Sequence, residues 1–207
     1  MLEKADAPKP YIIVGHSLGG TLSRFFVNKY PEEVAGVIFV DSQCPDDEKY
    51  LSAELYTMVN QGLPSNLLKF ANNFGLARLM FKNMFPNEKQ YEYQNSIMPA
   101  LLYKSAHAVL EEQDQMASIK KQGSKIKSFG DIPIYVLTAA DQKRYDSFIK
   151  DEKLKAEMIN AWNKMQNYFL LLATNSKQIF VANSRQYIKK DQPKAIENAI
   201  NEMVKKI

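Results

Sequence analysis

Tyr11-Ile12-Ile13-Val14-Gly15-His16-Ser17-Leu18-Gly19-Gly20 is the stretch on which the fold turns. Its first four residues are apolar and rich in β-branching, a run that suits a strand buried on both faces. Gly15 ends the run. From about Gly19 the sequence turns helical in character and stays so to Tyr30, where Pro31 stops it. Ala35-Gly36-Val37-Ile38-Phe39-Val40 is a second buried-strand run, closed by Asp41. Strand, helix and strand in so short a span form a βαβ unit, which requires parallel strands. The fold class is therefore α/β with a parallel sheet.

Beyond this unit the texture changes. From Pro45 to about Gly130 helical segments are broken by Gly62, Pro64, Gly75, Pro86 and Pro99, and Leu102, Ala106, Val109 and Met116 mark an apolar stripe at helical spacing. This stretch reads as a helical insertion. Strand character returns at Ile132–Thr138 and at Gln178–Ala182. Between them Leu154, Met158, Trp162, Met165, Phe169 and Leu172 predict a long amphipathic helix. A last helix starts at Pro193 and buries Ile196, Ala199, Ile200, Met203 and Val204.

Composition narrows the classes of function. The 207 residues, 45% hydrophobic and 24% charged, suffice for one domain with a sizeable core. The net charge is +4, but the lysines alternate with Asp and Glu, as in Asp151-Glu152-Lys153-Leu154-Lys155. That pattern makes a solvated surface, and no nucleic-acid partner is expected. No apolar run approaches the roughly 18 residues of a membrane span, and Met1–Asp6 lacks the apolar core of a signal peptide. The expectation is a soluble protein, cytoplasmic by default. Cys44, the one cysteine, excludes an intrachain disulfide framework and a Cys-rich zinc site. No metal and no cofactor are called for.

The chemistry sits in Gly15-x-Ser17-x-Gly19. Placed between a strand and a helix, this pattern is a nucleophile elbow, in which Gly15, His16 and Gly19 flank a serine held at a sharp turn. Leu18 would offer its backbone N–H to a developing oxyanion, helped by the positive end of the helix. The alternative is a glycine-rich strand exit with no chemistry.

On these residues the chain resembles the α/β-hydrolase superfamily, over essentially its whole length. Tyr11–Val14 with the elbow looks like the family's fifth strand, Gly36–Asp41 like the sixth, Asp131–Thr138 like the seventh, and the segment from Val181 to Ile188 like the last strand with its catalytic-histidine loop. The resemblance implies a partial α/β-hydrolase fold, strands five to eight, as a single domain over 1–207 with 45–125 as a helical cap insertion. It also implies a triad acid in the loop after the seventh strand, where Asp141 stands. Asp41 competes for that role, because it ends a strand on the same edge of the sheet. In the family a histidine precedes the aromatic and aliphatic pair that is here Tyr187-Ile188; this chain has Gln186. A glutamine amide has no basic lone pair near neutral pH, and loss of the general base costs on the order of 10^6 in turnover in a serine protease. His16 and His107 are the two histidines present. The elbow should turn the His16 ring away from the hydroxyl, and His107, beside Tyr103, Leu110, Glu111 and Asp114, reads as a surface or cap-packing residue.

The family places four strands before the elbow strand, whereas ten residues precede Tyr11. The chain is thus expected to be an N-terminally truncated member that lacks the second oxyanion donor. Its strand at 11–14 would be an unprotected edge, open to self-association or to a partner chain. The resemblance implies a serine hydrolase acting on a small-molecule ester or related acyl substrate through an acyl-Ser17 intermediate, with impaired activity. A serine nucleophile argues against the epoxide and haloalkane branches. The other reading is a non-catalytic fragment or pseudoenzyme acting as a binding protein. A nucleic-acid or membrane-surface binder is supported by the pI alone.

Overall fold

A computed structural model describes residues 2–60, 69 and 92–207. Gly62, Pro64, Gly75 and Pro86, read above as helix breakers, lie outside the described residues, as do the side chains of Leu102 and Tyr103. The chain forms two compact units, residues 1–58 with 119–207, and residues 59–118.

The elements in chain order are β1 (Tyr11–His16), α1 (Leu18–Lys29), β2 (Val34–Val40), α2 (Ala53–Asn60), α3 (Glu92–Gly123), β3 (Ile134–Ala139), α4 (Glu152–Leu170), β4 (Ser176–Val181), α5 (Ile188–Asp191) and α6 (Pro193–Val204). Within the first unit the four strands form one sheet in the order β1-β2-β3-β4, and every neighbouring pair is parallel. The register sets His16 opposite Val40, Val40 opposite Leu137, and Leu137 opposite Ile179. The carboxyl ends of the strands thus lie together, the edge at which open α/β sheets place their sites.

Side chains alternate across the sheet with the strand period of two. Val37, Phe39, Ile134 and Val136 face one side, where Val27 of α1 and Ala161, Met165 and Phe169 of α4 cover them. Phe39 and Phe169 stack with centroids 4.4 Å apart. Ile38, Val40, Tyr135 and Leu137 face the other side, under Ala199 and Met203 of α6 and Ile188 of α5. Each such side chain, taken fully out of water, contributes about 1.5–3 kcal/mol. Helices on both faces explain why β2 and β3 are continuous apolar runs. Arg24 of α1 is wholly buried against this layer, donating to the Ile126 carbonyl and to the Tyr168 hydroxyl.

Four expectations need correction. Pro99, read above as a helix breaker, lies within the continuous α3. β1 is not buried on both faces: it is the edge strand expected at 11–14, pairing among the described residues with β2 alone, and there Ile12 and Ile13 are half-buried and Val14 is 43% exposed. Val204 at the end of α6 is exposed, one residue past the buried Met203. In α3 Val109 is exposed and Leu110 is the buried residue. At 3.6 residues per turn, position 110 returns closer to the face of Ala106 than position 109 does.

Candidate active site

Ser17 is the single residue between β1 and α1, and its backbone sits at φ 53, ψ −124, in the half of conformational space that disfavours L-residues. Such a geometry costs about 1–3 kcal/mol and persists where its surroundings over-determine it. Here three backbone bonds do so. The Ser17 N–H donates to the Val40 carbonyl at 3.3 Å, and the Ser17 carbonyl accepts from Gly20 at 3.0 Å and from Gln43 at 2.9 Å. The turn is therefore fastened to the end of β2. Packing adds to this: a Cβ on Gly15 would lie 2.5 Å from Ser23 Oγ and 2.7 Å from the Gly19 carbonyl oxygen, and one on Gly20 would collide with Ser42. Gly19 differs, since nothing lies within 4 Å of a Cβ placed there.

The Ser17 side chain makes no capping bond to α1, and no residue among those described hydrogen-bonds its hydroxyl. Leu18 opens the helix, so its N–H has no intrahelical acceptor and lies at the positive end of the helix dipole. A serine oxygen and an N–H, neither with a partner among the described residues, are thereby held together on a rigid turn.

The Asp141 loop follows β3. The Asp141 backbone N–H donates to the Ser184 carbonyl at 3.0 Å, and Ala140 N–H donates to the Val181 carbonyl at 3.1 Å, so the loops after β3 and β4 are tied to each other. Asp141 Oδ1 accepts from Lys143 N–H at 3.0 Å. Gln186 is half-buried, and its backbone carbonyl oxygen lies 3.0 Å from His16 Nε2, which donates to it. The His16 ring also lies 5.6 Å, centroid to centroid, from that of Tyr187. His16 thus meets the 186–187 loop. The structure brings together His16 with Gln186, and the Asp141 backbone with Ser184. It gives no hydrogen bond from Ser17 to Asp141 or Gln186. His107 is exposed on α3.

Asp41, the rival carboxylate, ends β2 with φ 43 and is fully buried. Its Oδ1 accepts from Ala139 N–H at 3.1 Å and from Trp162 Nε1–H at 3.0 Å, and its Oδ2 lies 2.7 Å from Arg144 Nη1. Burial pushes the Asp41 carboxyl above the ordinary carboxylate range, and the Arg144 guanidinium partly opposes that rise. Oδ1 thus carries two hydrogen bonds, whereas Oδ2 has the ion pair with Arg144 and no hydrogen bond. Arg144 and Trp162 are what the sequence did not single out. Arg144 lies three positions after Asp141 and Trp162 falls on an apolar stripe, and neither position carries a local signal of a pairing across the fold.

Among the described residues no group of three or more His, Cys, Asp or Glu side chains is placed to hold a metal ion, and no helix is long and apolar enough to cross a membrane.

Compared with known proteins, the alpha/beta hydrolase fold family matches the chain over residues 1–202. Among solved structures, Cfl2 from Burkholderia cenocepacia superposes with a TM-score of 0.58 at 14% identity, over 97% of this chain and 67% of that one. A probable hydrolytic enzyme from Pseudomonas aeruginosa PAO1 superposes with a TM-score of 0.56 at 15% identity, over 98% of this chain and 65% of that one. Among curated proteins, an uncharacterized protein of Schizosaccharomyces pombe is 42% identical over 41 residues, which are 20% of this chain and 8% of that protein. The chain spans about two thirds of the length of the structures it resembles. At these identities the structural likeness speaks to the fold.

Proposed function

The chain belongs to the alpha/beta hydrolase fold family, and from that premise we propose that it is a serine hydrolase of carboxylic esters or related acyl bonds, with turnover held down by Gln186. The observation that carries this reading is the Ser17 turn, a strained strand-to-helix apex whose hydroxyl has no partner among the described residues. In this role the turn is the nucleophile elbow. Ser17 Oγ attacks the acyl carbon as its proton passes to solvent water, and the oxyanion of the tetrahedral intermediate takes a hydrogen bond from the Leu18 N–H. Collapse expels the alkoxide, which takes a proton from water, to leave acyl-Ser17, which a further water hydrolyses. Asp141 is the residue that would orient a base standing at position 186. Gln186 accepts hydrogen bonds but no proton, so Ser17 attacks without activation. Residues 45–125 are read as the cap that selects a small-molecule substrate.

Gln186 itself favours a second reading, a non-catalytic binding protein on the same fold. The β1 edge, paired on one side and carrying the exposed Val14, further supports self-association of the chain.

The two readings separate on a paired measurement. Gln186→His is expected to raise short-chain ester turnover by at least about 10^2-fold, the usual worth of a positioned general base, and Ser17→Ala in that background should abolish it. Labelling of Ser17 by a phosphonate probe should be slow in the parent chain and fast in the variant. Parent turnover equal to that of the variant would remove the impairment, and absence of labelling in both would favour the binding protein.

A further inference from the structure

Between the end of β3, the turn after it and α4 lies a pocket of about 130 Å³, with Asp141, Arg144, Tyr145, Trp162 and Phe180 among its walls. The space equals that of about four waters, enough for a small ligand. Ser17 is not among its walls.

Arg144 is the distinctive wall. Its side chain is 9% exposed, Nη1 lies 2.7 Å from Asp41 Oδ2, and the guanidinium carbon sits 4.8 Å from the Trp162 ring and 5.2 Å from the Tyr145 ring. No other acceptor meets the guanidinium among the described residues, which leaves the Nε and Nη2 N–H groups for a ligand. A planar guanidinium fixed before binding suits a carboxylate, taken by two parallel N–H···O bonds. A simple anion does not fit the charge balance, because Asp41 already offsets Arg144 and Asp141, a second acidic residue, is also among the walls. Asp141 uses Oδ1 for Lys143 N–H, and Oδ2 has no partner among the described residues. That oxygen suits an ammonium. A zwitterion answers both groups and brings no net charge, while the Tyr145 and Phe180 rings line room for a small side chain.

We propose that this pocket binds a small α-amino acid, its carboxylate on Arg144 and its ammonium on Asp141. The site shares Asp141 with the acyl-transfer machinery proposed above, and its occupancy does not require turnover at Ser17.

Trp162 is the single tryptophan of the chain and lines the pocket, so intrinsic fluorescence reads occupancy directly. Titrating the full chain with glycine, alanine and serine is expected to give a saturable emission change. Acetate and methylamine, added separately at the same concentrations, should not reproduce it. Asp141→Asn should weaken alanine binding by about tenfold or more, the usual worth of a charge-assisted contact. Ile159→Phe fills the pocket from α4 without altering either charged group, and it should remove the signal while circular dichroism stays that of the parent. Acetate binding as tightly as alanine, or an Asp141→Asn chain that binds unchanged, would overturn the assignment. So would the lack of any saturable change with all three amino acids.

Discussion

Around Ser17 the three glycines have different reasons to be glycine. Gly15 is hemmed in by Ser23 Oγ and by the Gly19 carbonyl, and Gly20 by Ser42, whereas Gly19 faces open space. Gly15→Ala is therefore expected to cost about 1–3 kcal/mol, the range for forcing a methyl into a filled site. Gly19→Ala should be neutral or stabilising by up to about 1 kcal/mol, since alanine is the better helix residue and nothing opposes its methyl. Urea unfolding of the two variants checks the contrast, and equal losses would refute it. The motif in the sequence marks all three positions alike. The difference arises from what approaches each backbone, and for Gly20 that is a side chain contributed by the far end of β2.

At the scale of elements, Asp41 is the point where β2, β3, α4 and the Asp141 loop are fastened together. Its bonds to Ala139, Trp162 and Arg144 cross about a hundred residues of chain. Only the carboxylate at the strand end was legible in the sequence. Its partners come from other elements, where Trp162 already had a reason to exist as part of an apolar helix face. The environment has a pH signature. Burial raises the pKa of Asp41 in the folded chain above its unfolded value. Between those two pKa values the folded state holds a proton that the unfolded state has lost, so this group's contribution to stability grows as pH falls through the raised pKa and shrinks as pH rises. Asp41→Asn cannot titrate. The stability of the parent relative to Asp41→Asn, measured by urea unfolding at several pH values, is expected to increase from neutral pH toward the acid side. A difference independent of pH would mean that Arg144 offsets the burial in full.

For the whole molecule, the parallel sheet was legible because a short helix between two apolar runs leaves no antiparallel option, and because β2 and β3, covered on both faces, are apolar at almost every position, with Thr138 buried as the polar exception. The same signal overstates the burial of β1, whose edge position followed from the family resemblance and is borne out by the sheet order. Tyr11-Ile12-Ile13-Val14 is as apolar as β2, yet among the described residues it pairs with β2 alone, since an apolar run does not record which neighbour lies beside a strand. The mismatch has a physical consequence. An edge of Tyr, Ile and Val offers unpaired backbone groups together with apolar surface, and natural edges guard against this with charge or proline. Val14, 43% exposed, carries neither. Sedimentation velocity of the purified chain should therefore show association that increases with concentration. Val14→Lys places a charge on that strand at an exposed position and should shift the distribution toward monomer without lowering the thermal midpoint. A Val14→Lys chain that associates as strongly as the parent would move the contact to another surface, and a parent that stays monomeric at every concentration would mean that the edge is protected by means other than its own side chains.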